Sequence, residues 1–194
     1  MIDKKHINEL KSRIEKLNKR GDIFREKNVK FTSFFLKNSN DAFDTAKLLY
    51  EVSINNSLNK SLGFSNFNGF LWVINASYYS MFYMARALLE TEGIRIKTDF
   101  SIHAVVFDAL IYYFYLTGKI QKKIIEEFEE AGQEASEILG QEKTKQLMED
   151  YFNEREKRVR FTYELGEIAM KNKAFTSLER AKKFNEELRK IIEF

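Results

Sequence analysis

The chain has 194 residues, 44% of them hydrophobic, and a net charge of +3, which suits one domain with a buried core and excludes a disordered chain. It has no proline, where average usage of roughly 5% would give about ten; since proline is the residue most hostile to helix interiors, its absence points to helices throughout. No cysteine excludes a disulfide framework, a thiolate nucleophile and cysteine-ligated zinc, and with only two histidines, His6 and His103, metal sites are left to carboxylates.

Charge is unevenly spread. Residues 1–30 hold ten Lys/Arg against five Asp/Glu, and the remainder hold 22 against 24. A basic arm on a near-neutral body can meet RNA, an acidic partner or an anionic surface. The first residues, MIDKKHINELKSRIEKL, lack the uninterrupted apolar stretch of a secretory signal, so the expected address is cytoplasmic. Ile7, Leu10, Ile14 and Leu17 recur at helical steps, predicting an amphipathic helix over 3–19 that Gly21 ends and whose stripe packs against the body or a second subunit.

Phe31 to Val52 is the next predicted helix, with Phe35, Phe43, Ala46, Leu49 and Tyr50 inward; the polar run 53–61 is expected as a loop. Gly69 to Leu89 is apolar nearly all round. Its length approaches a membrane span, but Asn75, Ser77, Ser80 and Arg86 lie inside it, and a helix apolar on every face is equally the centre of a bundle. The reading is a buried core helix and no membrane. Gly93 ends it, and Thr98 or Asp99 is the expected N-cap of a helix over 100–116. Gly118 breaks that helix, 119–138 is helical and acidic, Gly140 interrupts, and 141–171 is a helix or helix pair. Thr176 or Ser177 then caps a last helix with Leu178, Ala181, Phe184, Leu188 and Ile191 inward. No strand is expected. The fold class is all-α, an up-and-down helical bundle over 31–194 with an N-terminal helical extension over 1–30.

On the central helix Asn75, Tyr79, Phe82 and Arg86 follow steps of four, three and four and share a face. A buried guanidinium needs partners, and Asp108 or a phosphate is the candidate. The stretch NASYYSMFYMARALLETEGIRIKT, residues 75–98, resembles the second-helix signature of HEPN domains (higher eukaryotes and prokaryotes nucleotide-binding) through Asn75, Tyr78, Tyr79, Met81, Phe82, Ala85, Arg86, Ala87, Leu88, Leu89, Gly93, Lys97 and Thr98. That resemblance implies a helical bundle that forms a homodimer with a cleft between subunits, and no cofactor. It also implies an RNA- or nucleotide-binding protein, in many cases a metal-independent endoribonuclease or a toxin or defence component paired with a nucleotidyltransferase partner. The signature of the catalytic members is an arginine followed four to six residues later by a histidine, and no histidine follows Arg155, Arg158 or Arg160 at that spacing. The nearest match runs from Arg158 to Tyr163, and a phenol of ordinary pKa about 10 is a weak base at neutral pH but donates to phosphate or stacks on a base.

Arg158 and Tyr163 are therefore the candidate catalytic or phosphate-binding residues, with Arg86, Lys97, Tyr79 and His103 as further nucleotide- or RNA-binding residues and no metal ligands. Against this, Glu154–Arg158, Glu156–Arg160 and Arg160–Glu164 are each four apart, so the helix can also neutralise its own charges as a solvated face. Two other function classes stand beside the nucleotide-binding one. One is a non-catalytic protein-interaction module. The other is a carboxylate-bound metal bundle, for which the usual Glu-x-x-His pairs are absent.

Overall fold

The computed structural model describes residues 4–97, 101–149 and 159–193, and the side chains of all of these but 4–6, 29, 139–149 and 159–169. The described residues form an all-α bundle: α1 (Lys4–Arg20), α2 (Val29–Ile54), α3 (Asn56–Ser61), α4 (Phe70–Thr91), α5 (Ile102–Leu110), α6 (Lys122–Glu149) and α7 (Val159–Ile192), with two short strands, β1 (Ile23–Arg25) and β2 (Ile94–Ile96). α4 lies at the centre, packed by α2 and α7 along its length. No helix among the described residues is long and apolar enough to cross a membrane.

α1 has the predicted stripe, and Leu10 and Ile14 are fully buried in the same core cluster as Met84, Leu88 and Val106. Of the two surfaces its stripe suits, α1 packs on the body. Gly21 ends the helix in a left-handed conformation, φ 78°, which an L side chain adopts at a cost. The turn it makes aims the chain at α4's far end, where β1 pairs antiparallel with β2 in the register Ile23↔Ile96, Phe24↔Arg95, Arg25↔Ile94. Flanking bonds, Glu26 N–H to Gly93 O and Lys97 N–H to Asp22 O, both 2.8 Å, extend the ladder. The expectation of no strand is corrected here. Three-residue strands are too short to show a period of two, and the partners lie some 70 positions apart.

Asn28 caps α2 by accepting from the Lys30 N–H at 3.0 Å. The polar run 53–61, expected as a loop, holds the six-residue α3, because Asn55 accepts from the Leu58 N–H at 3.0 Å and so starts a new helix. Buried Asn59 then fastens the following loop through Val52 O, Phe67 O and the Phe67 N–H. Across the centre, Ser39, Ser80 and Asn185 join α2, α4 and α7. Ser39 Oγ donates to Ser80 O at 2.9 Å, Ser80 Oγ to Ser39 O at 2.8 Å and Asn185 Nδ2 to Ser80 Oγ at 2.7 Å. Serine at both crossing points lets the two backbones approach closely while satisfying the hydroxyls.

The proposed caps Thr98 and Asp99 lie outside the described residues. α5 starts after Ser101, itself left-handed at φ 55°, and runs into a π-helical turn, Ile111–Tyr115, before Gly118. Two predicted breaks are corrected. α6 continues through Gly140, and α7 continues through Thr176 and Ser177. An interior glycine costs a helix about 1 kcal/mol without ending it, and buried Ser177 uses its hydroxyl on Glu134 Oε2 at 3.4 Å rather than as a cap. The inward residues of α7 are those the spacing predicts, with Leu178, Ala181, Phe184 and Leu188 buried and Ile191 half-buried against the core.

Candidate functional site

The site follows from how α4 is shared between its neighbours. Along one stripe, steps of four and three carry Trp72, Ala76, Tyr79, Tyr83, Arg86 and Glu90. The upper part of this stripe lies open, with Tyr79 38% exposed, and the lower part sinks until Glu90 is 3% exposed. Asn75 and Phe82, predicted on the same face as Tyr79 and Arg86, turn inward: Asn75 is buried and donates to Leu71 O at 3.1 Å, and Phe82 is buried. A helical face about 100° wide is here cut by the edge of the core.

At the open end stands His103, delivered by the first turn of α5. Its Nδ1 is 2.9 Å from the Tyr78 hydroxyl, and its ring lies 4.3 Å from that of Phe82 and edge-on to Tyr79 at 5.7 Å. Burial lowers the His103 pKa below its ordinary value, because the charged ring loses water. Burial, with a smaller contribution from Tyr79, pushes the Tyr78 phenol up to about 12. At neutral pH this pair is an uncharged imidazole hydrogen-bonded to an intact phenol. Behind it a cavity of about 590 Å³ lies between α4, α5 and α6, walled by Tyr78, His103, Phe107 and Phe128. Asp108 lines it too, and its carboxylate holds Arg13 of α1 at 2.5 Å. The expected Arg86–Asp108 pair is therefore corrected: Asp108 serves Arg13, on another side of α4.

At the sunken end is a second cavity of about 370 Å³, enclosed by α2, α4 and the ladder. Its lining includes Arg86 and Arg95 beside the carboxylate of Glu90, Lys97, and Phe24, Phe31, Phe34 and Phe35 as walls. Arg86 lies over the Phe35 ring at 4.4 Å, and Arg95 over Phe31 at 4.0 Å. These stacked contacts hold guanidiniums whose pairs to Glu90 are loose: Arg86 Nη2 to Glu90 Oε1 is 4.0 Å and Arg95 Nε to Glu90 Oε2 is 3.7 Å. Arg95 also reaches Glu26 at 2.8 Å. Burial lowers the Arg86 pKa, partly offset by Glu90. Burial raises that of Glu90, against the pull of Arg95 and Arg86.

Rings join the two ends. Tyr79 meets Tyr83 at 6.2 Å, Tyr83 stacks on Phe35 at 6.3 Å and 22°, and Phe35 meets Phe34 at 5.2 Å. Phe34 is 57% exposed and Phe31 37%. The result is a surface track from His103 to Lys97 with aromatic faces along it and three cations at one end.

Of the residues singled out in the sequence, Tyr79 and His103 come together, and so do Arg86 and Lys97, at the two ends of this track. Arg158 lies outside the described residues. Tyr163 falls within α7, and its side chain is outside them, as are the ion pairs weighed for Glu154, Glu156 and Arg160. The sequence reading missed Glu90, Arg95 and the Phe31–Phe34–Phe35 wall. Glu90 sits four residues after Arg86, a spacing that pairs charges on a helix, and was the accessible signal. Arg95 had none without the ladder that turns it toward α4. Among the described residues no group of three His, Cys, Asp or Glu side chains converges to hold a metal. No family profile, curated protein or solved structure matches the chain.

Proposed function

We propose that this is a HEPN-like protein that binds RNA or a nucleotide, with the track along α4 as the contact surface. The observation that carries the reading is the combination of exposed rings and clustered cations in one groove. Phe31, Phe34 and Tyr79 are exposed, and Arg86, Arg95 and Lys97 line one cavity at its end. Single strands are held by this combination, bases on rings and phosphates on cations. Arg158 and Tyr163 join the phosphate contacts on the strength of the resemblance, which also supports a homodimer and a toxin or defence role beside a nucleotidyltransferase.

Catalysis is the narrower version. A metal-independent endoribonuclease needs a base near the 2′-hydroxyl, and the uncharged His103, held by Tyr78, is the described group of suitable chemistry. A protein-interaction module is favoured by one observation: α2, α4 and α7 each leave a large apolar side chain open, namely Leu48, Trp72 and Phe175.

The test is fluorescence anisotropy of a labelled single-stranded oligoribonucleotide in EDTA, wild type beside Phe34→Ala. A base–ring stack is worth about 1–3 kcal/mol, so the substitution weakens binding roughly 5- to 150-fold while leaving an already exposed position folded. Wild-type binding that is absent or indifferent to Phe34 refutes the track. Decay of the RNA in EDTA selects the nuclease version.

A further inference from the structure

The cavity at the sunken end contains a feature that phosphate binding does not explain. A site for phosphate alone has no use for a carboxylate at its floor, since like charges repel. Yet Glu90 lines it, is 3% exposed, and its Oε2 has no hydrogen-bond partner among the described residues. Its two neighbouring guanidiniums stop at 4.0 and 3.7 Å, beyond hydrogen-bond reach. A buried carboxylate left with open acceptor positions is costly, and a ligand bearing paired N–H groups relieves that cost. The walls are phenylalanine rings, and the volume, about 370 Å³, falls within the range of small-ligand sites.

The bases differ in what they show such a floor. Guanine carries donors, N1–H and N2–H2, on its Watson–Crick edge and the acceptors O6 and N7 on its other edge, the pair that arginine reads most often. Adenine places the N1 lone pair beside its amino group, and cytosine places N3 beside its own, so each sets an acceptor against a carboxylate. Uracil has one N–H between two carbonyl oxygens. A carboxylate flanked by two arginines matches guanine on both edges.

We propose that the cavity lined by Phe31, Phe34, Arg86, Glu90, Arg95 and Lys97 is a guanine-reading pocket. Glu90 accepts from N1–H and N2–H2, Arg86 or Arg95 donates to O6 and N7, a phenylalanine ring covers the base face, and Lys97 at the rim meets the phosphate. This rests on the nucleotide-binding reading and narrows it to one base.

The experiment is calorimetric titration of the wild-type protein with GMP, IMP, AMP and UMP at one ionic strength. The same panel is then run on Glu90→Gln and on Phe34→Ala, with circular dichroism to verify folding. Each good bidentate pair discriminates by roughly 5- to 150-fold, so GMP is expected to bind at least fivefold more tightly than AMP and UMP, and IMP, lacking the N2 amino group, to fall between. Glu90→Gln is expected to abolish the GMP preference, and Phe34→Ala to weaken GMP while keeping the order of the bases. If Glu90→Gln fails to fold, the wild-type order of the four nucleotides and the Phe34→Ala panel decide alone. Equal binding of all four, or a preference for AMP or UMP, overturns the guanine assignment and leaves the nucleotide reading standing. No binding of any nucleotide by a protein that binds an oligoribonucleotide overturns the pocket alone, and failure to bind either overturns both.

Discussion

Replacing Lys97 by glutamine removes one cation from the end of the track and nothing else the fold uses. The side chain is exposed, and the ladder bond at this position is made by the backbone, Lys97 N–H to Asp22 O at 2.8 Å, so stability should stay within about 0.5 kcal/mol of wild type. Binding of a single strand releases counterions, and log K falls against log salt with a slope of about −0.7 for each phosphate neutralised. With Lys97 on the phosphate, the slope of the wild type is steeper than that of the variant by about 0.7. Between about 50 and about 200 mM salt the wild type should lose roughly 2.6-fold more affinity than Lys97→Gln. Further cations on the strand would steepen both slopes equally, so the difference of about 0.7 is the diagnostic quantity. Anisotropy titrations of a labelled oligoribonucleotide at four salt concentrations measure it. Parallel lines for the two proteins would refute the placement of phosphate at this end.

Two further outcomes concern the frame that holds the track. Ser80→Ala removes the acceptor of Asn185 Nδ2 at the crossing of α2, α4 and α7; an orphaned buried donor costs about 1–3 kcal/mol, read as a lower urea midpoint, and an unchanged midpoint would mean that the three helices are not joined there. His103 has a folded pKa lowered by burial, so its contribution to stability is complete above the unfolded value and is lost as pH falls through the folded one. The urea midpoint of the wild type should therefore drop more between about pH 7.5 and about pH 5.5 than that of His103→Gln, and equal drops would contradict a buried imidazole.

The helical elements with a full apolar stripe were legible in the sequence because packing repeats every three or four residues. The stripe of α1, the all-round apolarity of α4 and the inward Leu178, Ala181, Phe184 and Leu188 of α7 all gave that signal. The breaks were not legible. Gly140 and the pair Thr176–Ser177 have the residue types of helix ends, yet α6 and α7 run through them, with Ser177 buried in the bundle. The converse holds at Asn55, where a single side-chain cap makes a helix out of a polar run. The ladder of β1 and β2 was hidden because its strands are three residues long and its information is the register between distant segments. That hidden ladder is also why half of the site escaped. Arg86 and Lys97 are among the residues that carry the resemblance to HEPN domains, whereas Arg95 meets Glu90 only because β2 is pinned to β1, and Phe31 closes the cavity only because Asn28 starts α2 beside it. Asp108 was a reasonable partner for Arg86 by charge, but only the position of α1 shows that Arg13 takes it.

The most direct measurement is photocrosslinking of a 4-thiouridine-containing oligoribonucleotide to the purified protein, with the modified peptides identified by mass spectrometry. Bases stacked along α4 predict adducts on Phe31, Phe34, Tyr79 or Tyr83, suppressed by unlabelled RNA. Adducts at saturating RNA that include none of these four rings would contradict the account.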